Sequence, residues 1–315
     1  MKMFGGPVAV EGEARFLAKK IMAKRRTAEG IYHQVYKKVI SNEARLPSLP
    51  DVAQKVRRAV ADDSVGVKEM ARIIQADPPL ATRIIRTANS PLYRSSRPYN
   101  NVADAVKRMG GNATRNVVYS HSLRALFNFR EKVLRDVSSE IWQDSVQTAA
   151  IASVLAVYCH GVSPDKAMLA GLIQDIGALP LLAELSENYP DVAKDYTEVK
   201  RVVNAYKSEV GYHLVKLWGF DEEFIGVMKS REDWMREGGA KLDLSDVILL
   251  SRWHAAVGTP SLRSMPHVVD MPAYKKFPVN KLSPEKSLEV LENAKEQMED
   301  ISNMLGSGPK PATKN

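Results

Sequence analysis

Residues 71–93 read ARIIQADPPLATRIIRTANSPLY, and their punctuation decides the fold. Asp77-Pro78 starts a helix: the Asp carboxylate can accept orphan backbone N–H groups, and proline at the first helical position costs no hydrogen bond. Leu80, Ile84, Ile85 and Ala88 follow at the spacing of a buried helical stripe, and Asn89 suits its end. Upstream, Met70, Ile73 and Ile74 mark another helix, preceded by Asp62-Asp63-Ser64 as turn and cap. Val52, Val56 and Val60 give a further one, behind LPSLP at 46–50, whose Pro47 and Pro50 cannot sit inside a helix. Downstream, Asn101 opens a short helix to Met109 that Gly110-Gly111 terminates. Asn112 is expected to cap the next, with Val117, Val118 and Leu126 inward. Short, well-capped helices without an alternating strand predict an all-α bundle.

The second half begins near Glu140. A long buried helix is expected from Ile141 to Cys159, ended by Gly161, and Pro164-Asp165 starts another that holds GLIQDIG, Gly171 to Gly177. Further helices are expected at Val199–Trp218, Glu222 to about Arg236, and Ser245–Ala256. A last one, Pro284–Leu305, carries Leu288, Leu291, Met298 and Leu305 on its stripe. Prolines 260, 266, 272, 278 and 284 share no repeat pattern between them and read as a connector. The tail GSGPKPATKN reads as disordered.

Composition narrows the function classes. The 315 residues are 44% hydrophobic and 26% charged, which excludes a wholly disordered or collagen-like chain. The single cysteine, Cys159, excludes an internal disulfide and a four-cysteine zinc site, and a reducing cytoplasm is the natural setting. Glu11 and Glu13 fall where an export signal needs an apolar core. The uncharged run from Ser145 to Pro164 has an apolar heart, Ala149–Cys159, too short to cross a bilayer, so no transmembrane segment is expected. The net charge is +8. Residues 1–45 contribute most of it, through Lys2, Arg15, Lys19, Lys20, Lys24, Arg25, Arg26, Lys37, Lys38 and Arg45.

Three runs of sequence, LPSLPDVAQKV (46–56), residues 71–93 and VADAVKRMGG (102–111), resemble the HDOD family. The likeness continues through IWQDS (141–145), GLIQDIG (171–177) and EVGYHLVKLWGF (209–220), to about residue 240. The family is related to the HD phosphohydrolases, and the resemblance implies an all-α fold and a regulatory, signalling role in bacteria. HD chemistry uses a divalent metal held by histidines and aspartates, which lowers the pKa of bound water. At the corresponding positions stand Asp144, Gln174, Asp175, Lys207, and Ser230-Arg231. Asp175 remains of the ligand set, with Asp144 as a candidate oxygen ligand; Lys207 and Arg231 would oppose a cation. The resemblance therefore implies a degenerate HD site, with no catalytic residue, bound metal or cofactor.

The cleft formed by Asp144, Gln174, Asp175, Lys207 and Arg231 is the candidate ligand site, and a phosphate-bearing small molecule fits its cations. A plainer reading of Asp175 is a buried carboxylate satisfied by backbone donors, Lys207 or Arg231. His213, His121, His160, His254, His33 and His267 fall outside the ligand pattern. Asn89, Ser90 and Tyr93 carry a family signature that local turn chemistry explains. Arg83, Arg86, Arg94, Arg97, Arg108 and Arg115 could form an anion-binding face, or a solvated one.

Four regions are expected: a basic amphipathic arm at 1–42, an HDOD-like core at 43–240, C-terminal helices with the proline connector at 241–305, and a tail at 306–315. In the arm, Phe16, Leu17 and Ile21 alternate with lysines and arginines, while Ile31, Tyr32, Val35, Tyr36 and Val39 need a surface to pack on, either the body or a second copy in a homodimer. The expected function is non-catalytic regulation through an unknown signalling protein or a small ligand. The alternatives are a residual metal-dependent phosphohydrolase and nucleic-acid binding through the arm, the latter unsupported by a motif.

Overall fold

The computed structural model describes residues 46–277 apart from 63, 91, 92 and 94–96. It also describes residue 30, 33–38, 40 and 41 before them, and 292, 295, 298 and 299 after them. Among the described residues every regular element is a helix and no strand occurs. The first half packs α1 (Asp51–Ala61), α2 (Val67–Gln75), α3 (Pro78–Ala88), α4 (Val102–Met109) and α5 (Gly111–Leu123). The second half follows with α6 (Lys132–Ala156), α7 (Pro164–Ile173), α8 (Ala178–Asn188), α9 (Tyr196–Leu217), α10 (Glu222–Ser230), α11 (Leu244–Ala255) and the short α12 (Pro272–Lys275).

Local chemistry sets the helix starts. The Leu80 N–H donates to Asp77 Oδ1 at 3.0 Å and Pro78 occupies the first turn, as the sequence predicts. Asn101 caps α4 in the same way, accepting from the Asp104 N–H at 2.9 Å. Gly110, at φ +80°, closes α4 and also precedes the first residue of α5. Asn112 thus lies inside the first turn and is not the cap, because the left-handed glycine has already redirected the chain.

The halves share one hydrophobic core. The loop before α1 is tied to the second half: Trp218 Nε1 donates to the Pro47 carbonyl at 3.0 Å, and the Arg57 guanidinium donates to the Trp218 carbonyl. In the second half α6 is the spine, with α7 on one side and α11 on another. Gly171 permits the α6–α7 approach, since a Cβ there would lie 2.5 Å from Ala149 Cα.

Four expectations need correction. The spine helix begins at Lys132, nine residues before Ile141, because Val133, Leu134 and Val137 extend its apolar face. GLIQDIG does not lie within one helix: α7 ends at Ile173, residues 174–177 form a turn, and α8 begins at Ala178. The expected helix to Arg236 ends at Ser230, and turns follow. The proline connector is largely structured, with 3-10 turns at Pro260–Ser264 and Val268–Asp270 before α12. The segment Pro164–Asn188 is apolar enough to pass a composition test for a membrane span. Yet 94% of its most apolar window is buried within the bundle.

Part of the N-terminal arm is described, and it packs on the body. Residues 33–38 are helical, Val35 is fully buried, Tyr36 stacks on Tyr206 at 4.9 Å, and Lys38 pairs with Glu184 at 3.1 Å. The basic stretch 15–26, the tail 306–315 and most of the helix expected at Pro284–Leu305 lie outside the described residues.

Candidate functional site

The turn that interrupts GLIQDIG carries the chemistry. It places Gln174 and Asp175, both buried, just past the end of α7, and Gly177 fastens it to α9. A Cβ on Gly177 would overlap the Lys207 carbonyl and the Gly211 nitrogen, so only glycine lets the two backbones meet. This approach brings Lys207 against Asp175. Lys207 Nζ lies 2.9 Å from Asp175 Oδ1, and Arg231, at the C-terminal cap of α10, places Nη2 2.5 Å from the same oxygen. Arg231 Nη1 donates to Ser208 Oγ and to Glu232 Oε1, each at 2.8 Å.

Burial acts to raise the Asp175 pKa, but Arg231, Lys207 and Arg252 outweigh it and hold the carboxyl well below the usual range. Lys207 is lowered too, which for an ammonium disfavours the charged form. Burial, with Arg231 and Arg252 nearby, depresses its ammonium below the ordinary lysine value despite Asp175. One carboxylate is being shared by more cations than it can balance.

Asp175 forms one wall of a cavity of about 410 Å³, within the size range of small-ligand sites. Asp144, Gln174, Asp175 and Lys207 line it, while Arg231 stands behind Asp175. Four of the five residues named from the sequence thus line the cavity, and the fifth supports it. Sequence reading missed Arg252, Lys200, Asn204, Thr259 and Ser261 on the other walls. The Arg252 guanidinium lies 5.1 Å from the Trp234 ring centroid, and its Nη1 is buried with no hydrogen-bond partner among the described residues. Gln174, 2% exposed, leaves Oε1 equally unmatched. Lys200 is neutralised at the rim by Glu140, 3.0 Å away.

The donor set does not fit a divalent cation. The oxygen of Asp175 that faces Lys207 and Arg231 is already engaged, and imidazole is missing from the cavity wall. Three ammonium- or guanidinium-bearing side chains, Lys200, Lys207 and Arg252, also line the cavity, and positive charge at that range repels a metal ion.

Elsewhere the candidates are structural. The Asn89 side chain clamps Tyr99, donating to its carbonyl at 2.9 Å and accepting its N–H at 2.8 Å. Ser90 Oγ donates to the Thr87 carbonyl. The expected arginine face does not converge: Arg108 donates to the Tyr93 carbonyl, and Arg115 pairs with Asp221 at 3.5 Å. Arg83 and Arg86 adjoin, and Arg94 lies outside the described residues. His254 is buried against the Leu250 carbonyl, and burial and Arg83 lower the His121 pKa. Cys159 is buried, and desolvation pushes its thiol up to about 12.

The HDOD domain model matches residues 46–233 of this helical bundle. The chain belongs to the HDOD family. It is similar over 86% of its length to a solved protein of Shewanella amazonensis SB2B provisionally named a metal-dependent phosphohydrolase. The identity is 27%, the TM-score 0.73, and 99% of that chain is covered. A Marinobacter aquaeolei VT8 structure, provisionally named a signal transduction protein, shares the fold at 18% identity and TM-score 0.59, with coverage of 88% and 66%. An uncharacterized protein of Treponema pallidum (strain Nichols) is 22% identical over 201 residues, which is 58% of this chain and 37% of that one. The chain therefore spans little more than a third of that curated relative.

Proposed function

We propose that this protein is a non-catalytic regulatory module that acts by binding, in a reducing cytoplasm. The observation that carries the reading is the state of Asp175. The one aspartate retained from the HD pattern has its Oδ1 engaged by both Arg231 and Lys207, two cations that compete with a metal for it. A hydrolytic HD centre needs a cation to generate hydroxide, and this wall is arranged for the opposite charge. Membership of the HDOD family and the resemblance of the fold to a protein named for signal transduction support a signalling role.

The name of the Shewanella relative favours the other reading, a metal-dependent phosphohydrolase, and one assay decides. Freshly purified full-length protein is incubated with phosphomonoesters, nucleotides and cyclic dinucleotides, with and without Mg²⁺, Mn²⁺ or Zn²⁺. No turnover above the metal-free control is expected. Metal-dependent turnover that disappears in a still-folded Asp144→Asn or Asp175→Asn chain would overturn the proposal.

A further inference from the structure

The geometry points to a binding site for the phosphate group of a small phosphomonoester, anchored by Arg252 and Lys207 in the cavity beside Asp175. The inference deepens the non-catalytic reading and rests on it, because a metal-loaded cavity would present the reverse charge.

Three observations converge. The first is a charge imbalance that depth makes costly. Lys207, Arg231 and Arg252 surround Asp175, and all three act on it electrostatically. The side chains of Arg231 and Lys207 are 1% and 15% exposed. Asp175 offsets one of the three and Glu232, 2.8 Å from Arg231 but 57% exposed, offsets another, while Asp144 lines the exposed side of the cavity and Glu140 is paired with Lys200. Buried charges interact more strongly than solvated ones, so the positive charge left in excess favours an anion in the cavity. The second is unmet hydrogen-bonding capacity. Arg252 Nη1 has a donor to give, and a guanidinium with a free edge suits a phosphate oxygen. Gln174 Oε1, buried on the same cavity, has an acceptor to offer to a hydroxyl on the body of the ligand. An unmatched buried polar atom is costly, and a ligand supplying both partners removes that cost twice.

The third is where Arg252 comes from. It lies on α11, beyond the end of the matched family segment at residue 233, as do Thr259 and Ser261 on the adjoining wall. The HDOD segment alone supplies the floor, and the following segment supplies the anchor. A site of this kind is specific to chains that carry such an α11.

Titration calorimetry on the full chain tests the assignment with inorganic phosphate, glycerol 3-phosphate, adenosine monophosphate and succinate as probes. The expected result is one saturable site for at least one phosphomonoester, with inorganic phosphate weaker and succinate weaker still. Arg252→Gln should weaken that binding by about tenfold or more, equivalent to about 1.4 kcal/mol. The exposed control Arg72→Gln should leave it unchanged. If Arg252→Gln fails to fold, Ser261→Phe places bulk into the cavity from an exposed loop position and should abolish binding equally. No saturation at millimolar phosphoester, undiminished binding by both cavity variants, or tighter binding of succinate than of phosphate would overturn the site. Hydrolysis of the bound phosphoester would instead refute the non-catalytic reading while leaving the phosphate site standing.

Discussion

Two buried aspartates in the second half, Asp175 and Asp246, are each held by two basic side chains, yet they do different work. Asp246 is fully buried at the start of α11. It accepts from Arg236 at 2.8 Å and Lys276 at 3.0 Å, and its carboxylate closes a reciprocal capping box with Asp243. Arg236 also grips Asp243 at 2.5 and 3.0 Å. Two acids meet two bases, both oxygens of Asp246 are used, and the cluster is electrically closed. Around Asp175 three bases meet one buried acid and the exposed Glu232, buried polar atoms on Gln174 and Arg252 lack partners among the described residues, and a cavity adjoins. The residue types are nearly the same. Stoichiometry separates a lock from a socket.

The contrast can be broken by removing each centre in turn. Asp175→Ala should have the largest effect, about 3–5 kcal/mol in denaturant unfolding, because it strands Arg231 and Lys207 without their counter-charge. The same centre should show in the acid limb. Asp175 titrates lower when folded than when unfolded, so its contribution is complete above the ordinary value of 3.8 and is lost as pH falls below it. Asp175→Asn should flatten that limb in melts recorded between neutral and acid pH. A chain that tolerates both substitutions unchanged would show that the bundle does not depend on this centre.

Gly177→Ala should come next, at about 3 kcal/mol, since the new methyl meets backbone of α9 that cannot swing aside. It should also disturb Lys207, which the closed cluster at Asp246 would not feel. Arg236→Ala should cost about 2 kcal/mol, less than the loss of Asp175 because Lys276 remains to balance Asp246. A larger loss than for Asp175→Ala would reverse the ranking of the two centres. Asp77→Ala, which removes a helix cap without stranding charge, should cost about 1 kcal/mol by thermal or chemical melts and sets the baseline.

The same distinction explains what could be read from the sequence. Asp77 and Asn101 were legible as caps because a cap is decided within three residues of chain. α8 was not, because the run from Ala178 to Ala183 is apolar throughout and shows no period that marks a helix face. The turn at 174–177 was hidden for the same reason, its break set by the close approach of Gly177 to α9 rather than by a local breaker. Asp144, Gln174, Asp175 and Lys207 were found through motif order. Arg252 was not, since nothing near it in sequence announces that α11 folds back against α6 and brings it to the same cavity.

The floor and the outer wall of that cavity are built to different tolerances. Gly177 welds the Asp175 turn to α9, so Lys207 and Asp175 cannot be repositioned without rebuilding two helices. The opposite side runs from Ala255 through the exposed Thr259 and Ser261 to Met265, in a short segment of turns that leans on the bundle through the Trp253–Pro266 hydrogen bond. Substitutions there change the shape offered to a ligand while the helices beneath keep their places. Selectivity in such a scaffold is cheap to revise, and its anion-holding base is not.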